Sequence, residues 1–94
     1  MSDLLVLPHD DVKRLLPMED CIDLMADVLA DLARGSVWQP LRFVIRPPDE
    51  PSLMGLMPGH RSQPQPAYGL KVICIFPDNP ARGIDAHQGG VLLF

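Results

Sequence analysis

The placement of proline constrains this fold more than any other feature of the sequence. Nine of the eleven prolines in the 94-residue chain lie after residue 36. Proline lacks a backbone N–H and clashes with the preceding helical turn, so it interrupts helices and the interior of sheets. Helices are therefore expected only in the first 36 residues, and strands joined by tight connections are expected in the remainder.

The first 36 residues contain two helical patterns. Apolar residues recur at helical spacing over residues 12–16, after Asp10 and Asp11, and Pro17 closes this short helix. A longer amphipathic pattern covers residues 18–33 and stops at Gly35. We expect the long helix to pack one side on a sheet and to leave a solvated acidic stripe, formed by Asp20, Asp23, Asp27 and Asp31. Residues 4–7 suggest a short first strand.

The proline-rich half has the alternation and punctuation of strands. Residues 41–46 alternate in polarity, and residues 52–57 resume an apolar strand after a proline-rich connection, which predicts an antiparallel hairpin. Residues 59–67 read as a polar loop, and residues 68–76 as the strongest strand. The predicted class is α+β, with a short and a long helix on a mostly antiparallel sheet.

The last residues predict an incomplete domain. Residues 77–90 read as irregular, and residues 91–94 form a wholly apolar run with no turn or charge after it. Complete domains normally cover or charge such an edge. We therefore expect the chain to be a truncated part of a larger protein; a natural terminus buried in a barrel or a dimer seam is the alternative.

Charge and cysteine usage exclude several classes. The net charge is -4: residues 1–36 carry eight acidic and three basic side chains, and residues 37–94 carry four acidic and five basic. Nucleic-acid binding needs a basic face, which is missing. No apolar run approaches the roughly 20 residues of a membrane span, so we expect a cytoplasmic protein. Cys21 and Cys74 are interpreted as small buried hydrophobes rather than a disulfide.

Lys71 is the most informative single residue. It lies within residues 68–76, whose apolar run is typical of a strand buried on both faces. A buried ammonium is unfavourable unless an opposite charge meets it. We expect either a structural acid, with Asp78 and Asp85 nearest in sequence, or an anionic ligand beside Lys71. A surface lysine whose ammonium reaches water is the remaining interpretation.

Arg42 suggests the chemistry of such a ligand. Arg42 and Arg46 share one face of the predicted strand, and a guanidinium can hold a carboxylate through two parallel hydrogen bonds. Neighbouring strands would bring Arg42 and Lys71 together with no acid on either strand, which favours a small carboxylate ligand. A solvated arginine is the simpler alternative for Arg42 alone.

Other kinds of site find little support. The three histidines, His9, His60 and His87, are far apart in sequence and lack partners at metal-ligand spacing, so no metal site is expected. The Gly89-Gly90 pair is not a dinucleotide-binding fingerprint and opens no helix. No serine or cysteine lies in a recognisable nucleophile motif.

Several segments, in this order, resemble the ornithine cyclodeaminase and mu-crystallin family. The resemblance covers nearly the whole chain and rests on Asp10-Asp11-Val12 with Leu15-Leu16-Pro17-Met18, Gln39-Pro40-Leu41-Arg42, Leu56-Met57-Pro58, Tyr68-Gly69-Leu70-Lys71-Val72, Phe76-Pro77-Asp78-Asn79-Pro80-Ala81-Arg82-Gly83, His87-Gln88-Gly89 and Val91-Leu92-Leu93-Phe94. Ala86 departs from the pattern, because family members often have threonine or serine immediately before the His-Gln-Gly segment.

The resemblance implies part of a two-domain enzyme that uses NAD or NADP. Residues 1–94 would be the N-terminal portion of a substrate-binding and dimerising domain, and an absent Rossmann domain after residue 94 would bind most of the cofactor. Arg42 and Lys71 would bind the carboxylate of a small amino or imino acid, Lys71 would assist proton transfer, and His87 would border the nicotinamide. Family activities include ornithine cyclodeamination, amino-acid dehydrogenation and ketimine reduction, and the fragment alone would be inactive. A non-catalytic small-molecule-binding or dimerisation module is the alternative.

Overall fold

The computed structural model describes residues 3–94. Within them it has two α-helices, one 3-10 turn and five strands in one antiparallel sheet, which confirms the predicted α+β class. In chain order the elements are α1 (His9–Leu15), α2 (Met18–Arg34), β1 (Val37–Trp38), β2 (Phe43–Ile45), β3 (Leu53–Arg61), β4 (Ala67–Ile75), the 3-10 turn (Pro80–Arg82) and β5 (His87–Leu93).

The long helix α2 begins and ends as its sequence predicts. Pro17 precedes its first residue, and Gly35 adopts a φ of 84° just beyond its last. There the Gly35 N–H donates to the Leu32 carbonyl at 3.2 Å and the Ser36 N–H to the Asp31 carbonyl at 3.0 Å, a pattern that satisfies the last carbonyls of a helix. The helix contacts the sheet at β1. Its apolar side remains largely exposed, with Leu29 63% accessible.

The centre of the sheet is a regular antiparallel ladder. The pairing of β3 with β4 runs without a break from Leu53 opposite Ile75 to Arg61 opposite Ala67. On the other side of β4, β5 pairs from Gly69 opposite Leu93 to Ile75 opposite His87. β4 therefore has a partner on both sides along most of its length, and its backbone position is the most constrained in the sheet.

The other edge of β3 is interrupted. β1 and β2 both pair with this edge, Trp38 opposite His60 and Phe43 opposite Leu56. The chain advances five residues from Trp38 to Phe43 while β3 advances only four, so residues 39–42 contain one extra residue, as in a β-bulge.

Pro58 lies opposite this interruption. Tyr68 and Phe94 exchange two backbone hydrogen bonds, of 3.0 and 2.9 Å, so alternate residues of β4, including Leu70, direct their backbone groups toward β5. Pro58 pairs with Leu70, and its nitrogen therefore points away from β4 toward the gap between β1 and β2. A missing N–H costs no ladder bond at that position.

Four of the predicted secondary-structure assignments are wrong in whole or in part. Residues 4–7 form no strand, because no described segment pairs with them. The hairpin is confirmed, but its first strand shortens to Phe43–Ile45. Residues 59–61 belong to β3 rather than to a loop, since Pro58 does not stop the strand. Residues 87–90 are paired rather than irregular, because β4 binds them despite their polar and glycine side chains.

The described residues form almost no closed core. Only Gly55 is buried, and no large apolar side chain is. Cys21 and Cys74 are free and half-buried, so their predicted full burial is wrong, because no further layer within the described residues covers α2 or β4 at these positions. Neither helix in the described part of the chain is long and apolar enough to cross a membrane.

Candidate functional site

Lys71 lies at the middle of β4, directly between Met57 on β3 and Val91 on β5. Residues that pair directly across strands place their side chains on the same face of a sheet, so these three side chains share one face. Lys71 is exposed and most of β4 is half-buried. The expectation that this strand is buried on both faces is therefore wrong, because neither face carries a covering layer in the described residues.

Lys71 has no acidic partner within the described part of the chain. The ion pairs found there join Arg14 to Asp11 and both Arg34 and Arg61 to Asp31. Neither Asp78 nor Asp85 is a partner of Lys71. The Asp85 carbonyl instead accepts hydrogen bonds from the side chains of Asn79 (3.1 Å) and Gln88 (3.0 Å) in the turn after β4. The ammonium of Lys71 is thus available to an anionic ligand.

Two shallow hollows flank Lys71. The first, of about 180 Å³, is lined by Lys71, His87, Val91 and neighbouring residues of β4 and β5. The second, of about 230 Å³, is lined by Lys71, Val91, Gln39 and a set of apolar residues. Because Lys71 and Val91 line both hollows, the Lys71 side chain lies at the boundary between two spaces that a small ligand could occupy.

Arg42 is exposed and lies in the interruption immediately before β2. β2 and β4 lie on opposite sides of β3, so the prediction that Arg42 and Lys71 come from neighbouring strands is wrong. Two strand spacings separate them, about 10 Å. Phe43, the residue after Arg42, pairs with Leu56, the residue before Met57, so Arg42 lies near the level of the Met57–Lys71 pair without being paired to it. Arg42 lines neither hollow.

His87 is the first residue of β5 and pairs with Ile75. Since Ile75 and Lys71 are four residues apart on β4, His87 lies on the same face as Lys71. His87 and Lys71 line the first hollow together. The preceding residue, Ala86, accepts a backbone hydrogen bond from Phe76 at 2.8 Å and closes the turn. Its methyl group offers no hydroxyl contact at this place.

Gly89 allows β5 to approach β4 closely beside the first hollow. A Cβ atom on Gly89 would overlap the Val72 carbonyl oxygen and would lie 3.0 Å from the Ile73 Cα. The next residue, Gly90, has open space at the equivalent position. In the sequence, the Gly89-Gly90 pair was noted only because it does not match a dinucleotide-binding motif. Nothing in the sequence distinguishes the two glycines, because the space beside each depends on how β5 pairs with β4.

An ion pair that the sequence did not predict joins α2 to the sheet. The Asp31 carboxylate accepts from the Arg61 guanidinium at 3.0 Å, and its side chain is only 17% exposed. Arg34 adds a longer contact of 3.4 Å. The prediction of a solvated acidic stripe is therefore wrong at Asp31, because the end of α2 turns this residue toward the end of β3. Arg61 was visible in the sequence only as part of a supposed loop.

In the part of the chain that the structure describes, no group of histidine, cysteine and acidic side chains could hold a metal ion. The three histidines belong to separate elements: His9 begins α1, His60 lies near the end of β3 and His87 begins β5. His60 instead packs against Tyr68 on the adjacent strand, with ring centroids 4.5 Å apart.

Comparison with known proteins gives two similarities. The model of the ornithine cyclodeaminase/mu-crystallin family matches residues 3–94. The fold is similar to that of a Δ1-pyrroline-2-carboxylate reductase from Thermococcus litoralis, solved in complex with NADH and L-proline, with a TM-score of 0.87 and 24% identity. The match covers 96% of this chain but 28% of the reductase chain. No curated protein matches the chain.

Proposed function

The chain belongs to the ornithine cyclodeaminase/mu-crystallin family, and we propose that it forms the N-terminal part of the substrate-binding domain of an enzyme that uses NAD or NADP. The proposed reaction changes the oxidation state of the carbon that carries the amino or imino group of a small amino acid. A cyclodeaminase, an amino-acid dehydrogenase and a ketimine reductase all fit this description.

One observation carries the proposal: Lys71, which has no acidic partner among the described residues, presents a cation at the boundary of two hollows, on the strand that is paired on both sides. A small amino acid whose carboxylate binds there would extend into one hollow and leave the other for a second reactant. Because Lys71 is exposed, its burial does not support the proposal; the position of Lys71, the lack of an acidic partner among the described residues and membership of the family do.

The residues of this chain fit a nicotinamide cofactor only in part. Gly89 and Gly90 lie inside β5 and cannot form the turn at a helix start that binds a pyrophosphate. We propose that a Rossmann domain after residue 94 binds most of the cofactor, and that His87 and the first hollow contribute one wall beside the nicotinamide. When bound, that cofactor would supply or accept the hydride at the substrate Cα.

The proposed roles of this chain's own side chains are positioning and proton transfer. Lys71 and Arg42 would bind the substrate carboxylate from the two sides of β3, and so hold the reacting carbon in place. Aligning reactants in this way can contribute several kcal/mol to lowering a barrier. The Lys71 ammonium, on the face of the sheet where the substrate would bind, would also exchange a proton with the substrate nitrogen.

The test compares the two lysines of the chain in the full-length enzyme. Lys71→Ala should lower kcat/KM for Δ1-pyrroline-2-carboxylate about 10²- to 10³-fold, the scale seen when one stabilising donor is removed from an active site. Lys13→Ala removes an equal charge from α1 and should leave kcat/KM within about twofold, because exposed charges far from a site contribute little. Equal kcat/KM values for Lys71→Ala and Lys13→Ala would rule out the proposed role of Lys71.

A non-catalytic binding or dimerisation module is the second candidate, and the uncovered apolar surface favours it. Val91 and Leu93 lie on the same face of β5 and are 75% and 79% exposed, and large exposed apolar patches often mark protein interfaces. A homodimer fits both candidates. Light scattering should give twice the chain mass for the full-length protein, and a catalytically silent dimer would favour the module. A cytoplasmic location stays a prediction.

A further inference from the structure

The second hollow combines an apolar lining with two polar side chains, and the proposed function gives no role to one of them, Gln39. Its walls are mostly apolar and include Val37, Met57 and Val91. Among the described residues that line it, only Gln39 and Lys71 have side chains that form ordinary hydrogen bonds, and none is acidic. A ligand in this hollow would therefore meet one cation, one neutral amide and an apolar surface.

Gln39 is available to such a ligand. It is exposed, and its side chain forms no hydrogen bond within the described part of the chain. It lies in the interruption between β1 and β2, where neither Pro40 nor the facing Pro58 has a backbone N–H. Since no ladder is formed at this point, Gln39 has no evident part in holding the sheet together.

We infer that Gln39 is a specificity-determining residue that hydrogen-bonds a neutral polar group, such as a hydroxyl, on the substrate side chain. This inference rests on the proposed function, since it takes the substrate carboxylate to be held at Lys71. The rest of a small substrate then enters the second hollow. At about 230 Å³ this hollow is smaller than the roughly 300–1,000 Å³ of pockets for drug-sized ligands.

The same residues disfavour a second cation on the substrate. An ammonium group in this hollow would find no carboxylate among the described residues that line it and would be repelled by Lys71. A carboxamide such as that of Gln39 can donate to or accept from a hydroxyl equally well. The hollow should therefore prefer a hydroxylated amino or imino acid over a diamino acid.

The experiment measures the affinity of the full-length protein for trans-4-hydroxy-L-proline, L-proline and L-ornithine by calorimetry. The wild type should bind the hydroxylated ligand about three- to tenfold more tightly than L-proline, as expected for one neutral hydrogen bond. Gln39→Leu should abolish this preference and leave L-proline affinity within about twofold. Gln65→Leu, in the loop outside both hollows, should retain the preference.

Two variants separate this inference from the proposed function. Lys71→Ala should weaken L-proline and trans-4-hydroxy-L-proline by a similar factor, because both have the same carboxylate, and should weaken L-ornithine less, because the repulsion of its second ammonium is lost as well. If Lys71→Ala weakens them while Gln39→Leu leaves the hydroxyl preference intact, the role of Gln39 is refuted and the proposed function stands. Tightest binding of L-ornithine by the wild type would also refute it. Unchanged affinities in Lys71→Ala would overturn both.

Discussion

The two edges of β3 differ sharply. Toward β4 the strand has an unbroken ladder along its whole length, whereas toward β1 and β2 it has two short ladders separated by residues 39–42. The regular edge holds Lys71 in one position between two partners. The interrupted edge carries Arg42 and Gln39, whose backbone no ladder dictates. In this sheet, rigid pairing anchors the central cation, and broken pairing provides the side chains that can adapt to a ligand.

Of the substitutions that distinguish the two edges, one on the interrupted edge should change substrate binding most. Arg42→Ala in the full-length enzyme should raise KM for a carboxylate substrate about 10- to 100-fold, since hydrogen bonds to charged groups contribute about 1.5–3 kcal/mol. Arg46→Ala is the matched control. Arg46 is also exposed and follows β2 by one residue, and its removal should leave KM within about twofold. Equal effects of the two variants would contradict a role for Arg42.

The next effect concerns the regular edge of β4. Gly89→Ala should lower the free energy of unfolding by about 1–3 kcal/mol, because the added methyl overlaps the Val72 carbonyl and β5 must shift. Gly90→Ala has open space and should change the stability by about 0.5 kcal/mol or less. Chemical denaturation of the full-length protein checks both. Equal stability of the two variants would contradict the close approach at Gly89.

The interrupted edge should tolerate the removal of a much larger group. Leu41 is 95% exposed, so Leu41→Ala removes no packing and should leave the free energy of unfolding within about 0.5 kcal/mol. The same denaturation series measures it. A loss as large as that of Gly89→Ala would mean that residues 39–42 are as constrained as the ladder, and the distinction between the two edges would fail.

A loss of stability between those of Leu41→Ala and Gly89→Ala is expected where α2 meets the end of β3. Asp31→Asn should cost about 1 kcal/mol of stability, because it removes the charge that the half-buried Arg61 faces. Arg34→Ala removes a partner that is 72% exposed, and its cost should be near zero. Thermal unfolding at low and high salt checks the pair, and a salt-insensitive Asp31→Asn effect would contradict an ionic origin.

The regular parts of the fold could be predicted from the sequence, and the irregular parts could not. Helical periodicity and Gly35 predicted α2, and an apolar run predicted β4 to within one residue at each end. Proline was misread at Pro58, because its effect on a strand depends on the direction of the nitrogen, which only pairing reveals. The same holds for Gly89, since a close approach involves a residue distant in sequence.

The candidate site was predicted only in outline. Lys71 and His87 do share a face and a hollow, but Lys71 is not buried. Burial depends on layers outside a strand's own sequence, and the apolar run could not show whether such layers exist. Arg42 was placed one strand too close for a related reason: strand order is a property of the whole sheet. Gln39 was noted only as part of a resemblance.

A double-mutant cycle tests whether Lys71 and Arg42 bind one carboxylate. L-proline affinity would be measured for the full-length wild type, Lys71→Ala, Arg42→Ala and the double variant. Residues that share a ligand group should couple by about 1 kcal/mol or more, so the double variant should depart from the sum of the single losses. Losses that add to within about 0.5 kcal/mol would show that the two cations act independently.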